Sequence, residues 1–360
     1  MPVMSHYEAR LEQDEQDIRE RTSSVAGSVR TALDNAVHAL LTGDHKLANT
    51  TVLDDGVINR AVREIDRRCH LFIIRHLPSA GHLRLMSATI RAAIALERTG
   101  DYAVSIARAA VRLSAPPHDR LASAVKDMAR QSGDMLVQAM TAFHDGDDEG
   151  AKRIMAISDE VEALRVAALD ELTKHKDDLP IEDLFGIFVV FSMLERVSDQ
   201  AKNLCEEAVF AATGQTKAKK VYRVLFVDRD NSSLAPMAQA IAQRQFPNSG
   251  VYDIAARQPA EALEPATLEF MKARGYNLDE FLQAHPMDKM SANLADYHVI
   301  VSLEGPVEDY LPEIPFHTAT LDWKLDNIEG YSEEQFEVLH RALALQVRGL
   351  MERLRGPEAD

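Results

Sequence analysis

Two short strings in this 360-residue chain stack one carboxylate above another. They are Leu96-Glu97-Arg98-Thr99-Gly100-Asp101 and Leu194-Glu195-Arg196-Val197-Ser198-Asp199. Side chains four residues apart on a helix share a face, one turn above the other. Glu97 with Asp101, and Glu195 with Asp199, would therefore repel unless something positive lies beside them. A hard cation held by oxygen ligands is one such partner; the adjacent Arg98 or Arg196 is another. The bland alternative is a solvated acidic face whose arginine contributes a few tenths of a kcal/mol.

The echo extends beyond the strings. Residues 87–113 and 185–210 align on their glutamates, with matching apolar positions upstream and Ala103 matching Ala201. A repeat on this scale is one supersecondary unit used twice. Helical periodicity runs over residues 5–42, 53–77, 83–113, 120–144, 154–175 and 181–212. The breaks fall at Gly43-Asp44, Pro78, Pro116-Pro117, Asp145 to Asp148 and Pro180, and Gly214 stands where a C′ glycine ends a helix. Six helices in two sets of three predict paired three-helix bundles, with one acidic string on the third helix of each.

Residues 215–220, with three lysines, read as a solvated tether. Beyond them the texture changes. Val221 to Val227 is a compact apolar strand, followed by a polar turn and the helical PMAQAIAQRQF. Further strands are expected at 252–255, 296–303 and near 317–321, with helices at 266–274 and 333–354. Strands alternating with helices predict a parallel sheet covered on both faces. The expected fold class is multidomain: all-α tandem three-helix bundles over residues 5–214, a linker at 215–220, and an α/β parallel-sheet domain over 221–355.

The formal net charge of −17 has no compensating basic tract, which argues against nucleic acid as a ligand. The longest apolar run, Ile181 to Leu194, contains Glu182 and Asp183 and is too short for membrane insertion. The N-terminus lacks a signal pattern, and Cys69 and Cys205 read as reduced, buried thiols, so a cytoplasmic location is expected.

With Leu-Glu-Arg-Thr-Gly-Asp-Tyr-Ala and Leu-Glu-Arg-Val-Ser-Asp-Gln-Ala each on a third helix, residues 5–214 resemble the PhoU family of phosphate-uptake regulators. The family string Leu-Glu-Arg-Ile-Gly-Asp-His-Ala recurs once per three-helix repeat, and His76 to Arg84 also resembles the family's lead-in to the third helix. The resemblance implies metal clusters built from second- and third-helix carboxylates. Those are Asp55, Glu97 and Asp101 in the first repeat, and Glu162, Glu195 and Asp199 in the second. Asn59 and Ser158 stand where further carboxylates are expected, and a neutral oxygen holds a hard cation less strongly. The implied cofactor is divalent or ferric metal: iron, zinc, magnesium or manganese. The implied function is negative regulation of phosphate uptake and phosphate-regulon signalling, as a cytoplasmic homodimer. Its implied partners are the ATPase of the phosphate ABC transporter and the sensor histidine kinase of the phosphate regulon.

The stretch VLFVDRDNSSLAPMAQAI, from Val224 to Ile241, resembles the low-molecular-weight tyrosine phosphatase and arsenate reductase family. There a cysteine ends the strand and a five-residue loop leads to an arginine. The thiolate attacks while backbone N–H groups, a helix N-terminus and the arginine hold the oxygens. In this chain Asn231, Pro236, Met237 and Ala238 keep the family's positions. Asp228 replaces the nucleophile, Ser233 the second cysteine, Leu234 the arginine and Ala235 the following serine. Asp326 corresponds to the general acid, followed by Asn327 instead of proline. The expectation is a pseudophosphatase, kept as a binding or dimerising module. The alternative is an enzyme with residual or rerouted phosphatase or arsenate reductase activity, governed by the helical domain.

Overall fold

In a computed structural model, residues 6–217, 219–260, 262–276, 278, 285–286, 294–311, 314–315, 318–325 and 332–360 are described. The chain divides into two compact units, 1–217 and 218–360.

Among the described residues the first unit holds seven helices: α1 (His6–Thr42), α2 (His45–His76), α3 (Ala80–Arg112), α4 (Asp119–Asp145), α5 (Asp148–Met155), α6 (Ser158–Lys174) and α7 (Ile181–Thr213). Two boundaries differ from the sequence expectation. Helix α2 begins at His45 because Gly43 takes φ +72° and Asp44 then caps the helix, accepting from Leu47 N at 2.9 Å. The expected fifth helix is two. Asp147 caps α5 by accepting from Gly150 N at 2.8 Å, and the Ser158 hydroxyl donates to Met155 O at 2.9 Å where the helix breaks. Gly214 ends α7 in the left-handed region, donating to Phe210 O.

Helices α3 and α7 pack side by side, α1 and α2 flank α3, and α4, α5 and α6 flank α7. The small residues Ala92, Ala93, Ala103 and Ala107, all buried, bring the α3 backbone close to its neighbours. Leu96 and Leu194, each directly before its glutamate, are fully buried in separate clusters. The core thus fixes the rotation of both helices and turns the acidic strings outward.

In the second unit, β1 (Tyr222–Asp228), β2 (Gly250–Ala256), β3 (His285–Pro286), β4 (Val299–Ser302) and β5 (Ala319–Asp322) form a parallel sheet in the order β3-β2-β1-β4-β5. Helices α8 (Leu234–Gln245), α9 (Pro265–Ala273) and α10 (Glu333–Arg355) supply residues to one core. Val224 and Phe226 point into that core, while Leu225 and Val227 point into a second, with Leu294, Tyr297 and Val307. This alternation is the period of two that a strand buried on both faces requires. Strand β1 pairs with β2 on one side and β4 on the other, so the chain reverses its winding direction there. Ligands of open α/β sheets bind outside the strand ends at such a point.

Candidate functional site

Asp228 is the last residue of β1, and its carboxylate turns back into the loop that leads to α8. Its Oδ1 accepts from Asn231 N at 2.6 Å and its Oδ2 from Ala235 N at 2.9 Å. Asn231 adopts φ +56°, a conformation that asparagine tolerates better than most residues. With its amide turned to satisfy its neighbours, it donates to Asp228 Oδ1 at 3.1 Å and Ala255 O at 3.2 Å, and accepts from Ala256 N at 3.2 Å. Ser233 accepts from the Thr267 hydroxyl at 3.1 Å. The loop is therefore cross-tied to β2 and α9 by its own polar groups.

Asp228 is 2% exposed. Burial pushes its carboxyl up to about 7, against the two N–H donors that favour the anion, and Glu304 and Asp230 add to the rise. Burial also pushes Asp230 up, but hydrogen bonds from Ser232 and Arg229 win and hold it below the usual range. A cavity of about 420 Å³ opens beside the loop, with Asp230, Glu264 and Glu304 on its walls. Arg229 is bound to Asp230 at 3.2 Å and donates its backbone N–H to Glu304 at 2.9 Å. Leu234, at the arginine position, is 3% exposed and packs into the core. A carboxylate at this place repels an anion by charge. The geometry adds a more direct obstacle: the carboxylate already holds N–H groups that a bound oxyanion would use. Asp326 lies outside the described residues.

On the helical unit the two repeats differ. In the first, Gly100 lets α2 approach α3: a Cβ there would lie 3.3 Å from Asp55 Oδ1. Asn59 donates to Asp55 Oδ2 at 2.7 Å, which leaves Asp55 Oδ1 and Asn59 Oδ1 buried with no hydrogen-bond partner. Burial, followed by the charge of Asp55, raises the Asp101 carboxyl. Two orphaned oxygens and a carboxylate strained by a like charge form a donor set that a hard cation fits.

In the second repeat, positive side chains already stand beside the acids. Arg165 of α6 lies 3.8 Å from Glu195, and Lys202 of α7 donates to Ser158 Oγ at 3.3 Å. Burial raises both Glu195 and Asp199, while Arg165 pulls the first down and Lys202 the second; Glu162 pushes both up. In this repeat a guanidinium and an ammonium supply positive charge beside the acids, although burial still leaves both carboxyls raised. Among the described residues, no three His, Cys, Asp or Glu side chains gather closely enough to hold a metal unaided. Sequence reasoning missed Arg165 and Lys202, although Lys202 stands three residues after Asp199, the acid it pulls down. It also missed Thr267 and Glu304, which only the sheet topology brings to the loop.

The first unit defines a protein built on a duplicated three-helix unit with an acidic string on the central helix of each half. The PhoU domain matches it twice, over residues 22–110 and 125–208. A phosphate-specific transport system accessory protein PhoU homolog of Pseudomonas aeruginosa is 29% identical over 215 residues, covering 59% of this chain and 87% of the relative. The crystal structure of PhoU from Pseudomonas aeruginosa is similar at 30% identity with a TM-score of 0.53, covering 57% of this chain and 99% of that one. Through this unit, the chain belongs to the PhoU family. An arsenate reductase in the phosphate-binding state is similar to the C-terminal part at 20% identity with a TM-score of 0.32, covering 37% of this chain and 99% of that one.

Proposed function

We propose that this chain is an accessory regulator of phosphate uptake that works in the cytoplasm by binding other proteins and catalyses no reaction of its own. The observation that carries the reading is the duplicated acidic string on α3 and α7, at the centre of a unit that belongs to the PhoU family. Among the described residues no helix is long and apolar enough to cross a membrane, which agrees with action on a transporter from outside the bilayer. The partners proposed are the ATPase of the phosphate transporter and the sensor histidine kinase of the phosphate regulon, both held in the signalling-off state, with the chain acting as a homodimer.

The cofactor proposed is one divalent or ferric cation on the first repeat. Asp55, the Asn59 amide oxygen and Asp101 would hold it, with Glu97 one turn before Asp101. Such an ion adds to the positive charge that Arg108 alone brings to Asp101, where the second repeat carries both Arg165 and Lys202. Sealing of the Asp228 loop supports the reading of the second unit as a pseudophosphatase. With Asp228 and Leu234 where the family has its thiolate and arginine, and with the Asn231 and Ala235 N–H groups engaged by Asp228, the described loop lacks the family's means of attacking phosphorus and has fewer donors free for its oxygens.

Alkaline phosphatase output in phosphate-rich medium tests the reading. Deletion of the gene should derepress the enzyme, and the full chain should restore repression. Restoration by residues 1–217 would place signalling in the helical unit; restoration by the full chain alone would give the second unit a part in it. No derepression in a cell without another family member would count against the proposal.

A further inference from the structure

Helix α7 is apolar on two faces over its first half. Ile187, Val190, Phe191 and Leu194 are buried, as the core requires. Ile181, Phe185, Phe188 and Val189 form a second stripe at i, i+4, i+7 and i+8 that faces outward, with Phe185 64% and Ile181 61% exposed. One stripe is what a surface helix needs; the second is surplus to folding and marks a contact surface.

The second stripe borders a groove of about 650 Å³ between the C-terminal half of α3 and the start of α7. Gly186 sets its depth: a Cβ there would meet Leu113 at 2.8 Å, so its absence lets the two helices close up beneath Phe185 and Val189. Arg108 and Arg112 stand on the α3 side, both exposed. Neither makes a hydrogen bond or ion pair with a described residue, and the charge of Arg108 is felt along the helix at Asp101, whose carboxyl it pulls down. In a chain of net charge −17, two exposed guanidinium groups without a hydrogen-bonded partner, beside Phe185, the most exposed aromatic side chain among the described residues, are out of character with the rest of the surface.

We propose that this groove docks an amphipathic helix of another protein, with carboxylates beside its apolar stripe. The apolar side chains would cover Phe185 and Val189, and the carboxylates would meet Arg108 and Arg112 in the bidentate geometry guanidinium favours. A second copy of this chain fits less well. In a two-fold contact each copy brings both arginines and only Glu182 as acid, which leaves positive charge over. The inference concerns the surface of the helical unit and stands whether or not the phosphate-uptake reading holds.

The test is fluorescence anisotropy on the full chain. The probe is a fluorescein-labelled amphipathic helix of about 18 residues, roughly five turns, with leucines on one face flanked by Glu; a Lys-flanked counterpart is the control. Wild type should bind the Glu peptide saturably and the Lys peptide about tenfold or more weakly. Arg108→Glu/Arg112→Glu should invert that preference, and Phe185→Ser should weaken both, with helicity by circular dichroism unchanged. Absence of saturable binding, or a preference that survives charge reversal, overturns the proposal. So does a concentration-dependent dimer by sedimentation that Phe185→Ser abolishes, because the groove would then belong to a second copy.

Discussion

The Oδ2 atom of Asp228 lies 2.9 Å from the backbone nitrogen of Ala235, seven residues further along the chain. Ala235 is the second residue of α8, so this N–H is among the orphan donors that give a helix start its affinity for anions. The chain has installed its own anion there. Asp228 thus has a structural role: it closes the loop by holding N–H groups at Asn231 and at the start of α8.

Removing that carboxylate should reopen the loop. In Asp228→Ala, the Asn231 and Ala235 N–H groups lose their acceptor, at about 1–3 kcal/mol for each donor left unsatisfied. An oxyanion then has a reason to bind. The expected outcome is a lower melting temperature than wild type, partly restored by excess inorganic phosphate or sulfate, whereas wild type shows no such shift. An equal rise in both proteins would mean that the loop is not sealed by Asp228.

Asp228 should also leave a mark on stability against pH. Its carboxyl is raised in the folded chain from 3.8 to about 7, so folding favours the protonated form. Stability from this group is complete below the unfolded value near 4 and is lost as pH rises through about 7. At about 1.4 kcal/mol per unit, the span amounts to roughly 4 kcal/mol. Asp228→Asn removes the titration. Urea unfolding from pH 5 to pH 8 should show wild type losing stability relative to the variant; a constant difference would place Asp228 at an ordinary carboxylate value.

Much of this architecture was legible in the sequence, because apolar periodicity and punctuation residues are local signals. Gly214 and the buried leucines before each glutamate follow directly from them. What escaped was of two kinds. The start of α2 depends on the Asp44 side chain acting as a cap, and the break before α6 is bridged by the Ser158 hydroxyl donating to Met155 O; neither leaves a periodic trace. The relations of Lys202 with Ser158, and of Thr267 with Ser233, join residues far apart in sequence, and only tertiary packing creates them.

The difference between the repeats predicts how many metal ions bind. Elemental analysis after loading with iron, zinc or manganese should give one occupied site per chain. Asp55→Ala/Asp101→Ala should abolish it, and Glu195→Ala/Asp199→Ala should leave it intact. Asn59→Asp, which supplies the missing carboxylate, should tighten binding by about tenfold or more, since a neutral oxygen becomes an anionic one. In the second repeat, Arg165→Ala/Lys202→Ala removes the built-in cations and should create metal binding there. Two ions in wild type would show that Arg165 and Lys202 yield to metal.

Cys69 and Cys205 report on the core that positions the first acidic string. Both are fully buried in one cluster with Leu96, and burial pushes both thiols up to about 12, so neither offers thiolate to a reagent at neutral pH. Labelling of the native chain by a disulfide reagent must therefore wait for the cluster to open, at a rate set by the opening equilibrium. Leu96→Ala removes a side chain with no exposed surface and should cost about 2–5 kcal/mol. At 1.4 kcal/mol per decade, labelling of both thiols should accelerate by roughly 30-fold to several thousand-fold. Glu97→Gln, one residue away but outward-facing, should leave the rate unchanged. Fast labelling in wild type, or acceleration by Glu97→Gln equal to that by Leu96→Ala, would contradict a closed core beneath the string.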